Sequence, residues 1–186
     1  MLDHHRMSAG GFAEGAGEAH ARWQAAVREL PATHLYHLQW HLLRLEDGCR
    51  RSRFGSFMSD DFLRDYSARA DAANTIVLGC FVGGHMRGTV ELRWQPSNGR
   101  HVAEIAFSVE KRWQGQGIGT ALMAAAIGAA RNHGIVRLLL TCHTLNRRMQ
   151  RIAERFGATI GFEGCECFAE LAVGEQEPEK ATDLQV

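Results

Sequence analysis

The sequence lacks an excess of charge, a long apolar segment and a leader-like start. Lysine plus arginine and aspartate plus glutamate number 21 each, so the net charge gives no reason to expect nucleic acid or an anionic membrane as a partner. The longest apolar run, residues 121–130, is too short to cross a bilayer. Residues 1–6 are followed by no apolar core, so we expect no signal peptide and no membrane partner.

The cysteines lack a paired arrangement, since there are 5 of them in 186 residues. An odd, unpaired set is typical of a reducing compartment, and we expect the chain to be cytoplasmic. The length and the hydrophobic content of 45% are those of one domain with a buried core. We expect that domain at residues 31–173, after a mobile or helical extension (residues 1–30) and before a disordered acidic tail (residues 174–186).

The residue sets that could bind a metal ion are incomplete. Cys165 and Cys167 would share one face of a predicted strand, but no second pair stands at ligand spacing, so ordinary packing is the preferred interpretation. His34, His37 and His41 recur at helical spacing, yet no glutamate follows His37 to complete a zinc motif. We therefore expect these histidines to pack and expect no metal.

A glycine-rich turn at residues 114–120 separates a strand-like run from a helix-like run. Glycine lets the backbone approach a ligand closely, and the first N–H groups of the following helix point at an anion. The turn therefore predicts a cradle for a diphosphate; the alternative is a turn that only packs the helix on the strand. No lysine follows Gly119, which excludes an ATPase phosphate loop, and Thr120 stands where a dinucleotide fingerprint needs glycine.

The remaining pattern, Gln-x-x-Gly-x-Gly at Gln114, Gly117 and Gly119, resembles the pyrophosphate signature of the GNAT acyltransferase superfamily. A second segment, residues 145–158, is similar to the family's next block, a helix that begins at an asparagine and ends at a glycine. The resemblance covers roughly residues 35–172. It implies the acyl-CoA N-acyltransferase fold, an α/β (α+β) fold with a mixed, mostly antiparallel central sheet and helices on both faces.

Hydrophobic periodicity predicts the same order of elements. Helices are predicted at residues 20–30, 35–45, 59–70, 119–133 and 146–156, with a basic loop at residues 50–54. Strands are predicted at residues 75–82, 85–95, 102–109, 136–142, 159–163 and 165–172, with turns at residues 83–84 and 96–99. A strand, a crossover helix and a further strand after the glycine turn indicate one parallel pair.

The resemblance also implies acetyl-CoA as cosubstrate and gives its contacts. The pantetheine arm would lie along the backbone of Phe107, Ser108 and Val109, and Asn146 would contact the same arm. The turn that would hold the pyrophosphate comprises Gln114, Gly115, Gln116, Gly117, Ile118, Gly119 and Thr120. Three arginines follow in the next helix, Arg147, Arg148 and Arg151. We expect them to be solvated, and the alternative is that they contact the 3′-phosphate.

Glu104 is the predicted catalytic base. Strand alternation places it on one face with the small residues Ala106 and Ser108, which leaves room for an amine, and in the family an acid on this strand often removes the ammonium proton. Folding the next hairpin about residue 98 would bring Glu91 opposite Glu104, where two like charges raise one pKa. The alternative for Glu91 is a solvated strand face shared with Arg93.

One position departs from the family pattern, because Ala153 stands where a tyrosine usually protonates the leaving thiolate. The thiolate would then leave unassisted or through water, or take a proton from Cys142 or a nearby histidine, or the protein would bind coenzyme A without efficient turnover. Two functions follow from the resemblance. One is an N-acetyltransferase acting by direct attack of a primary amine, and the other is a coenzyme-A-binding regulatory or sensory module.

The acceptor of the first function is left open between a small amine and a protein lysine. Short segments around residues 43–45, 53–54 and 103–106 resemble the acetyltransferase domain of bacterial protein-lysine acetyltransferases. The resemblance also implies that the chain can form a homodimer.

Overall fold

The computed structural model describes residues 26–70, 73–94 and 102–174. Its centre is a seven-stranded sheet in the order β1-β2-β3-β4-β5-β7-β6. The strands are β1 Val27–Glu29, β2 Thr75–Val82, β3 His85–Arg93, β4 Val102–Val109, β5 Arg137–His143, β6 Thr159–Glu163 and β7 Glu166–Ala172. Only the β4–β5 pair among these is parallel, so the predicted mixed, mostly antiparallel sheet is confirmed.

Five α-helices cover both faces of the sheet, as predicted. They are α1 Tyr36–Leu43, α2 Asp47–Phe54, α3 Asp60–Ala68, α4 Ile118–Asn132 and α5 Arg147–Arg155. Strand alternation in β2 separates two cores, because Leu78 packs with the α4 side chain of Leu122 whereas Val77 packs with Leu42 of α1. Within the described ranges, no helix is long and apolar enough to cross a membrane.

Two local signals of the sequence are confirmed in detail. The hydroxyl of Ser59 caps α3 by accepting a 3.2 Å hydrogen bond from the backbone N–H of Phe62. Gly83 and Gly84 both have positive φ, 58° and 78°, which is the backbone that a tight two-residue hairpin turn requires. The predicted turn at residues 96–99 lies outside the described residues, as do the tail from residue 175 and most of the N-terminal extension.

The predicted basic loop at residues 50–54 is wrong, because this segment is the second half of helix α2. The guanidinium of Arg50 is buried and donates to the carbonyl oxygens of Leu43 and Leu45, at 2.9 Å each. Arg50 thus ties the ends of neighbouring helices together instead of pointing into solvent. The helix ends at Gly55, whose φ is 79°. The charged residues of this segment indicated a loop, because the sequence alone does not show these carbonyl partners.

Two further boundaries need correction. The described end of the predicted helix at residues 20–30 is the strand β1, in which Val27 pairs with Cys80 of β2. Edge pairing with β2 satisfies its backbone groups and overrides local helix propensity. Strand β7 begins at Glu166, so Cys165 lies in the preceding turn and is exposed, whereas Cys167 is 1% exposed. The two thiols therefore do not share a strand face.

The register of β3 against β4 also differs from the prediction. Glu91 lies opposite Ala106, and Arg93 lies opposite Glu104. Each residue of β3 therefore pairs two positions further along β4 than predicted. Both glutamates still lie on the same face, but as diagonal neighbours instead of a facing pair.

Candidate functional site

A cleft opens where the parallel strands β4 and β5 separate. Their pairing begins at Val102 with Arg137 and ends at Glu104 with Leu139. Beyond that point β4 continues along β3, whereas β5 continues along β7. The second half of β4 therefore turns one row of backbone N–H and C=O groups toward the gap between the strands.

The gap is a cavity of about 800 Å³ that runs from β4 to the glycine turn and helix α5. Its lining includes every predicted cofactor residue except Ile118, which is 1% exposed and packs in the core. Helix α2 adds three residues that the sequence reading missed, Cys49, Ser52 and Arg53. Ser52 and Arg53 were missed because residues 50–54 were predicted as a basic loop, and Cys49 lies just before that segment.

The glycine turn presents the free N-terminal end of helix α4 to this cavity. Gly115 and Gly117 have φ of 77° and 91°, and Gly117 is the N-cap residue. In this described segment no side chain caps the helix, and the first helical bond runs from Ala121 N–H to the carbonyl of Gly117. The N–H groups of residues 118–120 are thus without helical acceptors, as an anion site requires.

Gln114 joins this turn to the end of β4 and to helix α5. Its Nε2 donates to the carbonyl of Val109 at 3.0 Å, and its Oε1 accepts from Nη1 of Arg148 at 3.0 Å. Asn146 caps α5 through Oδ1, which accepts from Met149 N–H at 3.3 Å. These bonds hold the turn and the start of α5 on opposite sides of the same cavity.

A row of arginines on α5 makes this end of the cavity cationic. Arg148, Arg151 and Arg155 all line it, while Arg147 donates to Gln150 at 2.9 Å and is not among the lining residues. Free helix N–H groups together with guanidinium groups are a donor set that suits a pyrophosphate and a further phosphate. The residues present therefore fit coenzyme A.

The two predicted acids occupy different surroundings. Glu104 is exposed on β4, just before the part of that strand that lines the cavity. Glu91 is 2% exposed; Arg53 Nη2 donates to its Oε1 at 2.9 Å, and the Tyr66 hydroxyl donates to its Oε2 at 2.7 Å. Burial and the neighbouring Glu91 carboxylate raise the pKa of Tyr66 to about 12. Glu91 thus belongs to a buried network behind the cavity wall.

A second polar cluster was not predicted at all. His41 of α1 is fully buried, and its Nε2 lies 2.9 Å from Oγ of Ser108 on β4. Its Nδ1 lies 3.6 Å from Oε1 of Glu110. Burial alone would raise the pKa of Glu110, but contacts with His41, Arg44 and Arg87 lower it to about 2. No sequence signal links positions 67 residues apart.

The other positions singled out by sequence have ordinary packing roles. His37 packs edge-on against the ring of Phe81, so it does not join His41 in one site. Among the described residues, no group of three or more histidine, cysteine or acidic side chains could hold a metal ion.

Ala153 is buried in the core at 1% exposure. Cys142 lines the cavity, and burial together with its neighbour Cys167 raises its pKa to about 12.

This chain matches a known family model and a curated relative. The family model described as Acetyltransferase (GNAT) family matches residues 33–158. A curated relative, Acetyltransferase Pat of Mycolicibacterium smegmatis, is 42% identical over 57 residues, which are 31% of this chain and 17% of that protein. The match thus spans less than a fifth of that relative's length.

Two solved structures share the fold. The GNAT domain of Streptomyces lividans PAT superposes with a TM-score of 0.67 at 23% identity, over 78% of this chain and 89% of that one. YncA, a putative acetyltransferase from Salmonella typhimurium with its cofactor acetyl-CoA, gives a TM-score of 0.62 at 19% identity, over 83% of this chain and 97% of that one.

Proposed function

This chain belongs to the acetyltransferase (GNAT) family, and from that premise we propose that it transfers the acetyl group of acetyl-CoA to a lysine side chain of a protein. The observation that carries the proposal is the cavity between the diverging strands β4 and β5, with the open end of helix α4 at one side. Such a cavity accepts an extended thioester along β4 and its phosphates at the glycine turn.

The binding roles follow from the donor groups around the cavity. The free N–H groups at the start of α4 would receive the pyrophosphate, and Arg148 and Arg151 would receive the 3′-phosphate. The backbone of Phe107, Ser108 and Val109, which has no β5 partner, would pair with the amides of the pantetheine arm. The acetyl group would then lie along β4 on the way to Glu104.

Glu104 and Glu91 have different expected roles, because Glu104 is exposed and Glu91 is buried. Glu104 would take the proton of the attacking amine, directly or through one water molecule, because it is exposed beside the cavity where an acceptor can enter. A catalytic role for Glu91 stays a prediction. Its bonds to Arg53 and Tyr66 support a part in holding Arg53 at the cavity wall.

The lysine acceptor is supported by the likeness to the two Pat proteins and by the exposure of Glu104. An exposed base can meet a long side chain that reaches in from a partner protein, whereas a small amine needs an enclosed pocket of its own. A homodimer and a cytoplasmic location stay predictions of this proposal. All 5 cysteines are free, which is compatible with a reducing compartment.

The decisive experiment measures binding and transfer separately. Calorimetric titration with acetyl-CoA tests the cofactor site, and release of the CoA thiol tests transfer. The acceptors are two versions of one peptide, the first with a free lysine ε-amine and a blocked N-terminus, and the second with the reverse. Transfer to the first peptide alone supports the proposal. Transfer to the second peptide or only to small amines contradicts the lysine acceptor, and binding without any transfer favours the sensory module.

A further inference from the structure

The contact between Ser108 and His41 lies at the wall of the cofactor cavity. Ser108 lines the cavity near the end of β4, and its Oγ is 2.9 Å from Nε2 of the fully buried His41. A serine hydroxyl bonded to an imidazole can pass on a proton and regain one, because imidazole exchanges protons near neutral pH. The pair therefore places an imidazole within one hydroxyl group of the cavity.

The other side of the imidazole carries an unusual feature. His41 Nδ1 is buried without a hydrogen-bond partner, and its nearest charged atom is Oε1 of Glu110 at 3.6 Å. Burying an unpaired polar atom opposes folding, so packing alone does not explain a histidine here. Glu110 is the nearest acceptor for a proton on Nδ1, and an imidazolium ring would carry a second proton on Nε2, beside Ser108.

One carboxylate meets two guanidinium groups in this cluster. Glu110 accepts from Arg44 Nε at 2.8 Å and from Arg87 Nη1 at 2.9 Å, so the residue just after helix α1 and strand β3 each contribute one cation. Because Glu110 is ionised with a pKa of about 2, it remains a fixed countercharge over the whole physiological range. When His41 passes a proton to Ser108, Glu110 therefore keeps its negative charge.

The donor that the resemblance implies is absent, because Ala153, which is buried in the core, stands at the position of the usual tyrosine. Cys142 also lines the cavity, but its neighbour is the thiol of Cys167, which has no basic nitrogen to return a proton. Ser108, in contrast, is bonded directly to a group that can recharge it.

The position of Ser108 along β4 also suits the leaving group. Ser108 and Glu104 lie on the same strand face, four residue positions apart, which corresponds to about 13 Å along the strand. The arm of the cofactor would enter from the glycine turn, which follows the end of β4, so its sulfur would come nearer to Ser108 and the amine nearer to Glu104. Acid and base would then flank the thioester from opposite ends.

We propose that Ser108 is the acid that protonates the leaving thiolate of coenzyme A, with His41 as the positioning residue that resupplies its proton. This inference rests on the proposed acetyl transfer. The amine nitrogen bonds to the acyl carbon and loses its proton to Glu104, and the carbon–sulfur bond breaks. The sulfur takes the hydroxyl proton of Ser108 while Ser108 takes the Nε2 proton of the His41 imidazolium, which leaves a neutral imidazole with its proton on Nδ1. A solvent proton later restores His41 through Ser108 after the thiol has left.

The test compares three variants of the full chain for release of the CoA thiol. Ser108→Ala should lower kcat by tenfold or more, with the Kd for acetyl-CoA within about twofold of wild type, because general acids contribute on the order of 100-fold or more. His41→Gln keeps a donor to Ser108 but cannot resupply a proton, so kcat should fall and its pH dependence should change. Thr89→Val is the matched control, because its buried hydroxyl lies opposite Ser108 and donates only to the carbonyl of Leu78.

Each result decides a different question. An unchanged kcat in Ser108→Ala with an active wild type overturns the proton donor and leaves the proposed transfer standing. A kcat loss of equal size in Thr89→Val would show that strand packing is responsible and would also overturn the donor. If His41→Gln keeps both the kcat and the pH profile of wild type, the resupply step is wrong. A wild type that binds acetyl-CoA but releases no thiol with any amine refutes the proposed function itself.

Discussion

Arg148 donates a hydrogen bond from Nη1 to Oε1 of Gln114, 34 residues earlier in the chain. Through this bond the helix after β5 is tied to the glycine turn after β4, across the mouth of the cavity. The two sequence segments that resemble the family most closely are therefore also joined in space. The bond also holds a cation beside the free N–H groups of helix α4.

Replacing this arginine tests the phosphate end of the cavity. Arg148→Ala should raise the Kd for acetyl-CoA about tenfold, because a hydrogen bond to a charged group is worth about 1.5–3 kcal/mol. Arg147→Ala is the control, since Arg147 bonds to Gln150 and is not among the lining residues. Calorimetry on both variants checks the difference. Equal losses of affinity in the two variants would mean that the total positive charge of α5 is responsible, and not the position of Arg148.

The conformation of Gly117 should matter for binding as well as for stability. An alanine at a φ of 91° costs about 1–2 kcal/mol, which lowers Tm by a few degrees, and it distorts the turn that presents the N–H groups. Gly117→Ala should therefore bind acetyl-CoA much more weakly. Gly164→Ala carries similar strain at a φ of 56° in the turn between β6 and β7. Gly164→Ala should be less stable than wild type but should bind acetyl-CoA as tightly. A loss of affinity for acetyl-CoA in both variants would contradict the predicted cradle.

Glu104→Gln should separate catalysis from cofactor binding. If Glu104 removes the proton of the amine, kcat should fall about 100-fold or more while the Kd for acetyl-CoA stays the same. The loss should shrink at high pH, where more of the amine is neutral. Glu163→Gln, an exposed strand acid on β6, serves as the control and should keep its activity. Full activity in Glu104→Gln would rule this residue out as the base.

Glu91 should prove important for folding. Glu91→Gln leaves the guanidinium of Arg53, whose side chain is 10% exposed, without its charged partner, and breaking such a pair costs about 3–5 kcal/mol. Urea unfolding followed by circular dichroism measures this loss. The kcat of the folded fraction distinguishes the roles: a retained rate supports a structural part for Glu91, and a rate that collapses supports the catalytic prediction.

The depressed pKa of Glu110 predicts acid sensitivity. A carboxyl whose pKa falls on folding from 4.5 to about 2 stabilises the native state above pH 4.5. That stabilisation is lost as the pH falls from 4.5 toward 2, because protons bind first to the unfolded chain. In Glu110→Gln the urea midpoint should fall less over this range than in wild type. Parallel pH curves for the two proteins would show that other carboxyl groups are responsible.

Prediction from sequence succeeded where the determinants are local. The strand around Phe107, the turn at residues 114–120 and the helix that begins after Asn146 each carry their own signal of alternation, glycine spacing or capping. The same approach failed at Arg50 and Arg53, because a charged segment is typical of a loop unless its partners are known. Those partners are carbonyl groups and a carboxylate from other parts of the chain.

The sequence by itself determined the family through its resemblance, and periodicity and spacing, which act over a few residues, determined the sheet class, the glycine turn and the strand that carries Glu104. Only the tertiary structure decided three other features: the displaced register at Glu91, the burial of Arg53 and the contact of His41 with Ser108. Register depends on a hairpin loop whose geometry has no unique local signature, and buried polar contacts join residues from distant elements. Their identity emerges only when desolvation forces each buried polar group to find a partner.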